Sequence, residues 1–280
     1  MPASLRTTVL DTTGKASFDD IYERPDPREY YARMSELDYR IPELAKPHFQ
    51  QLIEDHHAAT GIAAPTVLDI GCSYGVNAAL LRLDVGMKDL VASYGTQSTA
   101  ELVARDREVL AEGDLLPNVR FLGMDASGPA LKYAQDAGFL HGIVHADLES
   151  ADPTEEQRAL LASADLVIST GCVGYVTDAT LLRVARAHGG KLPWMAHFVL
   201  RMFSFEPIAA QLATLGYRTE LAPGVFQQRR FASDDEQSGV LNTLEANGID
   251  TEGLESDGWL YAQLYLSRPS PTLSIEQDMH

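Results

Sequence analysis

The hydrophobic pattern changes near Pro65. From there on, short runs of consecutive apolar residues alternate with longer stretches in which apolar positions recur every three or four residues. A strand packed on both faces shows no polar side, whereas a helix lying on a sheet shows an apolar stripe with the helical period. The strand candidates are Thr66–Ile70, Val119–Met124, Gly142–Ala146, Leu166–Ser169 and Trp194–Phe203. Helices are predicted between them. One spans Val76–Leu83. Ser98 and Glu101 form a capping box that opens a helix ending at Gly113. Ser127 and Pro129 start one that closes at Gly138, Asp152-Pro153 caps another, and Asp178 opens one ending near Gly189. Pro207–Leu215 is stopped by Gly216. This alternation predicts an α/β, Rossmann-like, doubly wound and mostly parallel sheet. After Gly216 it ends. Phe226–Ala232 and Trp259–Leu266 read as two strands with a long polar stretch between them, an antiparallel hairpin at the C-terminal edge.

Upstream of Pro65 the pattern is helical. Residues 1–20 are polar and read as a loose arm. Asp26-Pro27 caps a helix from Arg28 to Leu37, and a second runs from Pro42 to Ala59 and stops at Gly61. Pro47 predicts a kink or shortening of that second helix. His56-His57 falls mid-helix and reads as solvent-facing. The expected organisation is an N-terminal arm and helical cap over 1–62, a core over 63–269, and a disordered tail over 270–280. The cap carries Tyr22, Tyr30, Tyr31 and Tyr39, which either form a lid over a site or pack on the outer helices.

Charge narrows the partners. The 280 residues hold 22 basic and 40 acidic side chains, a net charge of −18. Such a surface repels polyanions and anionic bilayers, which argues for a small-molecule substrate and against nucleic acid or membrane. The two cysteines, Cys72 and Cys172, are expected as free thiols. With no apolar run long enough to cross a bilayer and no basic-then-apolar opening, a cytoplasmic location is expected. Monomer and homodimer both stay open, and no Cys/His spacing suits a metal.

In a parallel sheet the ligand lies beyond the carboxyl ends of the strands. The first strand ends in Asp69-Ile70-Gly71-Cys72-Ser73-Tyr74-Gly75, where two glycines allow a tight turn and close approach to a ligand. The acidic residue can accept a hydrogen bond from a cationic amine. The second strand ends at Met124-Asp125-Ala126, a carboxylate able to hold a ribose diol, and the third at Ala146-Asp147-Leu148, an acid beside an apolar residue, suited to an adenine ring. The fourth ends at Ser169-Thr170-Gly171-Cys172, small residues that leave room. One such aspartate is commonly just a helix cap; three at successive strand ends are less easily idle.

These segments resemble the class I S-adenosylmethionine-dependent methyltransferases, from about Pro65 to Leu266. Val67–Gly75 is similar to their first motif, Gly123–Ser127 with Ala130, Leu131 and Ala134 to their second, Ala146–Leu148 to their third, and Asp165–Thr170 to the strand-four motif. The resemblance implies S-adenosylmethionine as cofactor. Gly71, Cys72, Ser73 and Gly75 would cradle its methionine moiety with Asp69 near the ammonium. Asp125 and Ala126 would take the ribose, Asp147 and Leu148 the adenine, and Thr170 and Gly171 would line the floor near the reactive methyl. The sequence departs from the family in two ways. Ser73 replaces the middle glycine of the loop, and fifty residues separate Gly75 from Asp125. The extra helix ending at Gly113 takes up that excess; Asp84 and Asp89 are the alternative ribose ligands.

Gly71-Cys72-Ser73-Tyr74-Gly75 also spells a nucleophile elbow. In hydrolases, however, that elbow follows several strands, and only helices precede this one. Its G-x-x-x-G spacing is a poor match to a dinucleotide loop. The expected reaction is methylation of a small molecule at oxygen, a carboxylate or a hydroxyl. Tyr175, His197 and Arg201 are the candidates for positioning the acceptor, with Arg201 as a two-pronged carboxylate clamp, while His197, earlier in its strand, reads more readily as core packing. Cys172 and Ser204 are further polar groups near the same strand ends, and Arg229-Arg230 reads as solvated or facing an anionic substrate. The alternatives from other classes are an inactive binding module with this fold, or an aminopropyl transferase using the same cofactor.

Overall fold

The computed structural model describes residues 14–16 and 18–270. Helices α1 (Asp19–Tyr22), α2 (Arg28–Glu36) and α3 (Ile41–Thr60) lead into β1 (Thr66–Ile70). Then follow α4 (Val76–Arg82), α5 (Met87–Ser93), α6 (Thr99–Gly113), β2 (Arg120–Asp125), α7 (Gly128–Asp136) and β3 (Gly142–His145). Next come α8 (Glu155–Leu161), β4 (Leu166–Thr170), α9 (Asp178–Ala187), β5 (Trp194–Leu200) and α10 (Glu206–Thr214). The chain closes with β6 (Tyr217–Leu221), β7 (Phe226–Arg230), α11 (Asp234–Ala246) and β8 (Trp259–Pro269).

The sheet order is β3-β2-β1-β4-β5-β8-β6, with β7 also paired to β8. Strands β1 to β5 are parallel, and the order reverses between β1 and β4. Ile70 lies opposite Met124 and Asp69 opposite Ile168, so β1, β2 and β4 end at one edge. That edge, at the reversal, is where a ligand crevice forms in such sheets. Every residue of β1 is buried. Alternate side chains enter opposite layers. Val67 joins Tyr30, Ile41, Phe49 and Leu80 on the α2–α3–α4 face, and Leu68 joins Leu181, Val199 and Leu212 on the α8–α9–α10 face. The N-terminal helices are thus part of the main core.

The antiparallel edge is larger than the sequence pattern suggests. Strands β6 and β7 lie end to end along one side of β8, with Leu221 opposite Tyr265 and Phe226 opposite Ala262. β6 escapes the hydrophobic pattern because only Tyr217 in it is buried. Helix α11 fills the polar stretch between β7 and β8. It buries only Val240, Leu244 and Glu236, too thin a stripe to read. Helix α5 is likewise new, with Met87 and Leu90 buried. Helix α3 runs through Pro47 unbroken. The proline forfeits one backbone bond, and burial of Ile41, Ala45, Phe49 and Leu52 in one core outweighs it. Pro27 is the cap of α2, and Asp26 Oδ1 accepts the Arg28 N–H at 3.2 Å. His56 is buried against Trp194, 5.4 Å between ring centroids, rather than solvent-facing. Most of the loose-arm reading, and the tail from residue 271, lies outside the described residues.

Candidate functional site

The loop from β1 to α4 turns through left-handed backbone at Gly71, Ser73 and Gly75 (φ 67°, 51° and 75°). Ser73 pays a strain that glycine would not. Its N–H is held by Asp125 Oδ2 at 2.8 Å, and Asp125 Oδ1 accepts the Ser127 N–H at 2.9 Å. The carboxylate at the end of β2 therefore braces the β1 loop as well as its own. Burial raises the pKa of Asp125, against the pull of these N–H donors. Gly71 is required by packing as well as by φ: a Cβ there would stand 2.7 Å from Cys172 Cβ.

These loops floor a cavity of about 230 Å³. Gly71, Cys72, Ser73, Asp125, Thr170 and Gly171 line it on the sheet side. Phe18, Tyr22, Tyr30, Met34, Tyr39 and Pro42 line it on the side of the N-terminal segment. That segment is fastened at several points. Ser127 Oγ donates to the Tyr22 carbonyl at 2.6 Å, and the Tyr74 hydroxyl lies 2.9 Å from the Ile21 carbonyl. Ala16 N–H donates to Glu236 Oε1 at 2.7 Å. Lys15 Nζ reaches the Gly171 carbonyl at 3.4 Å and lies 4.9 Å from the centre of the Tyr175 ring. Burial pushes the Cys72 thiol well up and that of Cys172 to about 12, so neither is a thiolate near neutrality.

Asp69 lies one layer beneath. It is fully buried, and Asn77 Nδ2 donates to its two oxygens at 3.1 and 3.2 Å and to Thr170 Oγ1 at 3.1 Å. Burial pushes its pKa to about 8. Asn77, not Asp69, faces the cavity.

The remaining candidates fall in different places. Tyr175 is exposed and lines the cavity. Gly75 abuts Ala134 and Phe139 and does not line it. The Ala126 carbonyl is 2.9 Å from His145 Nε2. Asp147 is exposed and accepts from Glu149 N–H at 3.0 Å and Ser150 Oγ at 2.7 Å, bonds that lower its pKa. Leu148 is buried in the α8–α9–α10 layer. Ala126, Asp147 and Leu148 are outside this cavity.

The carboxylate-clamp reading of Arg201 and the solvated reading of Arg229 are corrected, and His197 takes the core place rather than the acceptor-positioning one. His197 shares its strand parity with Met195 and Val199, so it enters the α8–α9–α10 layer, away from the cavity. There Nδ1 pairs with Ser169 Oγ at 2.8 Å, and burial lowers its pKa to about 3. Arg201 is no carboxylate clamp. Nη1 donates to Glu255 Oε2 at 2.6 Å and Nη2 to the Asp250 carbonyl at 2.7 Å. Arg229 is also not solvated: it forms a buried two-pronged pair with Glu236. Sequence reasoning missed Lys15, Phe18, Asn77 and Gln228 as cavity residues. Asn77, eight positions after Asp69 in the first turn of α4, had a local signal; the others are brought in only by tertiary packing.

The fold is Rossmann-like, and its cavity lies at the switch point of the sheet, where ligands bind in such folds. No family model and no curated protein matches the chain. Similar solved structures include the YcgJ protein from Bacillus subtilis, at 13% identity, covering 80% of this chain and 100% of that one, with a TM-score of 0.42. A SAM-dependent methyltransferase from Aquifex aeolicus is similar at 10% identity over 87% of this chain and 98% of its own, TM-score 0.41. Magnesium protoporphyrin IX methyltransferase from Synechocystis, with bound SAM, is similar at 12% identity over 80% and 79%, TM-score 0.40. Among the described residues no helix is long and apolar enough to cross a membrane.

Proposed function

We propose that the chain is an S-adenosylmethionine-dependent methyltransferase that methylates an oxygen of a small molecule, a hydroxyl or a carboxylate. The observation that carries this reading is the convergence of the Gly71–Gly75 loop, Asp125 and Thr170–Gly171 on one cavity at the strand ends. The donor set fits the cofactor. Each Asp125 oxygen accepts one backbone N–H, which leaves each a lone pair for one hydroxyl of a ribose diol. Gly71 keeps backbone free of side chain where the methionine portion would pass. The predicted adenine residues, Asp147 and Leu148, lie outside the cavity, so the fit rests on the methionine and ribose portions.

When bound, the cofactor supplies a methyl group already activated by its own sulfonium. The task left to the chain is alignment of the acceptor, with reacting atoms about 3–3.5 Å apart. Asp125 would hold the ribose. Asn77, fixed by Asp69 and Thr170, keeps the floor rigid. The rings of Phe18, Tyr22, Tyr30 and Tyr39 close the opposite wall, exclude water and favour a small acceptor over a polymer, as the net charge of −18 also does.

The test is thermal denaturation with S-adenosylhomocysteine at about 100 times its dissociation constant, which adds roughly 2.7 kcal/mol. At about 2–4 °C per kcal/mol, Tm should rise by about 5–10 °C. NAD should give no shift, and Asp125→Ala should remove most of the S-adenosylhomocysteine shift. A wild-type protein that melts at the same temperature with and without S-adenosylhomocysteine refutes the reading.

A further inference from the structure

We infer that Gln228 selects the methyl acceptor, by accepting a hydrogen bond from an uncharged N–H or O–H group of that acceptor next to the atom that is methylated. The inference rests on the methyltransferase reading and narrows it from any oxygen to acceptors with a second, neutral donor.

Gln228 is placed by an irregularity in the edge strand. The pairing of β7 with β8 shifts between Gln227, opposite Tyr261, and Arg229, opposite Leu260. Gln228 is the extra residue. Such bulges re-aim a side chain, and they concentrate beside active sites. Both residues line the cavity, but Arg229 is taken up by its pair with Glu236, whereas Gln228 is only 3% exposed and has no such ion pair. Its backbone is pinned from the other side, since its carbonyl accepts the Arg40 N–H at 2.9 Å.

The carboxamide lies against the floor. A Cβ on Gly171 would stand 2.3 Å from Gln228 Nε2, so the amide packs directly on the glycine and any side chain at 171 would displace it. Gln228 Oε1 is buried with no hydrogen-bond partner among the described residues. Leaving a buried amide oxygen unpaired is costly, and a native structure that keeps one calls for an explanation. A ligand donor supplies it. Rotation about the last side-chain bond of glutamine is soft, so the oxygen can turn to the cavity face. A carboxylate group by itself brings no N–H or O–H at neutral pH and leaves Oε1 unpaired. A hydroxyl or amide brings one. The facing wall of Phe18, Tyr22, Tyr30 and Tyr39 suits a flat apolar body carrying that group.

The experiment follows S-adenosylhomocysteine release from S-adenosylmethionine with four acceptors. Catechol and salicylamide carry a second donor, 2-methoxyphenol has it capped, and benzoate is charged. The wild type should turn over catechol or salicylamide with kcat/KM at least tenfold above 2-methoxyphenol and benzoate. Gln228→Met should lower that preferred kcat/KM at least tenfold, mainly through acceptor KM, and erase the preference over 2-methoxyphenol. Its Tm shift with S-adenosylhomocysteine should match wild type, which separates acceptor loss from a damaged fold. Gln228→Glu, which still accepts in either protonation state, should stay within about threefold of wild type. Equal turnover of benzoate and catechol, or a Gln228→Met variant that behaves as wild type, overturns the inference. So does an intact S-adenosylhomocysteine shift with none of the four acceptors turned over, an outcome that leaves the methyltransferase reading standing. Loss of the wild-type shift itself removes both.

Discussion

Replacing Glu236 should cost the protein more than any other single change on α11. The side chain is fully buried, and its two oxygens take four donors. Oε1 accepts Arg229 Nη2 at 2.6 Å and the Ala16 N–H at 2.7 Å. Oε2 accepts Arg229 Nη1 at 2.9 Å and the Ala232 N–H at 2.7 Å. Burial works to raise its pKa, and the Arg229 guanidinium with the N–H donors outweighs it, so the group stays ionised. In Glu236→Gln one oxygen becomes an NH₂ facing two donors, and Arg229, 2% exposed, loses its counter-charge. Breaking a buried pair on one side costs about 3–5 kcal/mol. At about 2–4 °C per kcal/mol, Tm should drop by about 6–20 °C. The double variant Arg229→Met/Glu236→Leu removes both charges, and should recover most of the loss because replacing a whole buried pair with apolar groups is often neutral. Differential scanning calorimetry on wild type, Glu236→Gln, the Arg229→Met and Glu236→Leu single variants and the double reads this directly. A Glu236→Gln drop below about 1 kcal/mol, or a double variant as unstable as the sum of its singles, refutes the reasoning. The same variants report on the site, because Ala16 hangs on Glu236 beside Lys15. Limited proteolysis should cut the segment around residue 16 faster in Glu236→Gln than in wild type.

Two further outcomes follow from the same structure. Arg201→Ala orphans the Glu255 carboxylate, whose side chain is 1% exposed, so it should destabilise by about 1–3 kcal/mol in a urea titration. It should leave S-adenosylhomocysteine binding and acceptor KM unchanged; a raised acceptor KM would restore Arg201 to the substrate. Asp69 sets a pH dependence. With its pKa raised to about 8 in the folded protein against about 3.9 unfolded, the folded state holds a proton that the unfolded state has released. Stability should therefore fall as pH rises from about 4 to about 8, by up to about 1.4 kcal/mol per unit, and level off above. Asp69→Asn should flatten that slope in melts between pH 5 and 9, and an unchanged slope would show that Asp69 does not carry it.

How much of this was legible in the sequence depends on how far apart the cooperating residues lie. The five parallel strands were readable because burial on both faces leaves continuous apolar runs. Gly71–Gly75 and Asp125 were readable because a strand end, a turn and a helix cap lie within a few residues of one another. The segment between Gly75 and Asp125 holds three helices: α4 was readable as Val76–Leu83 and α6 announced itself through Ser98 and Glu101, whereas α5 gave no such signal. His197 shows a signal that a strand does carry, since its place within β5 already favoured core packing. Period-two alternation puts it with Met195 and Val199, and Phe198 on the opposite face; parity alone separates it from the cavity. Arg201 offers no such clue, because its partner Glu255 is fifty-four positions away. The same holds for the proposed acceptor side of the cavity, lined by Phe18, Tyr39 and Gln228. Gln228 shows why distance matters most there. Its role comes from a bulge in the pairing of β7 with β8, and the register of two strands separated by α11 is a property of the folded sheet. The cofactor side of such a site is written locally, since backbone turns and one carboxylate suffice to define it. The wall assigned to the acceptor is written in long-range packing, and so the proposed substrate choice rests on Gln228 and the rings opposite it.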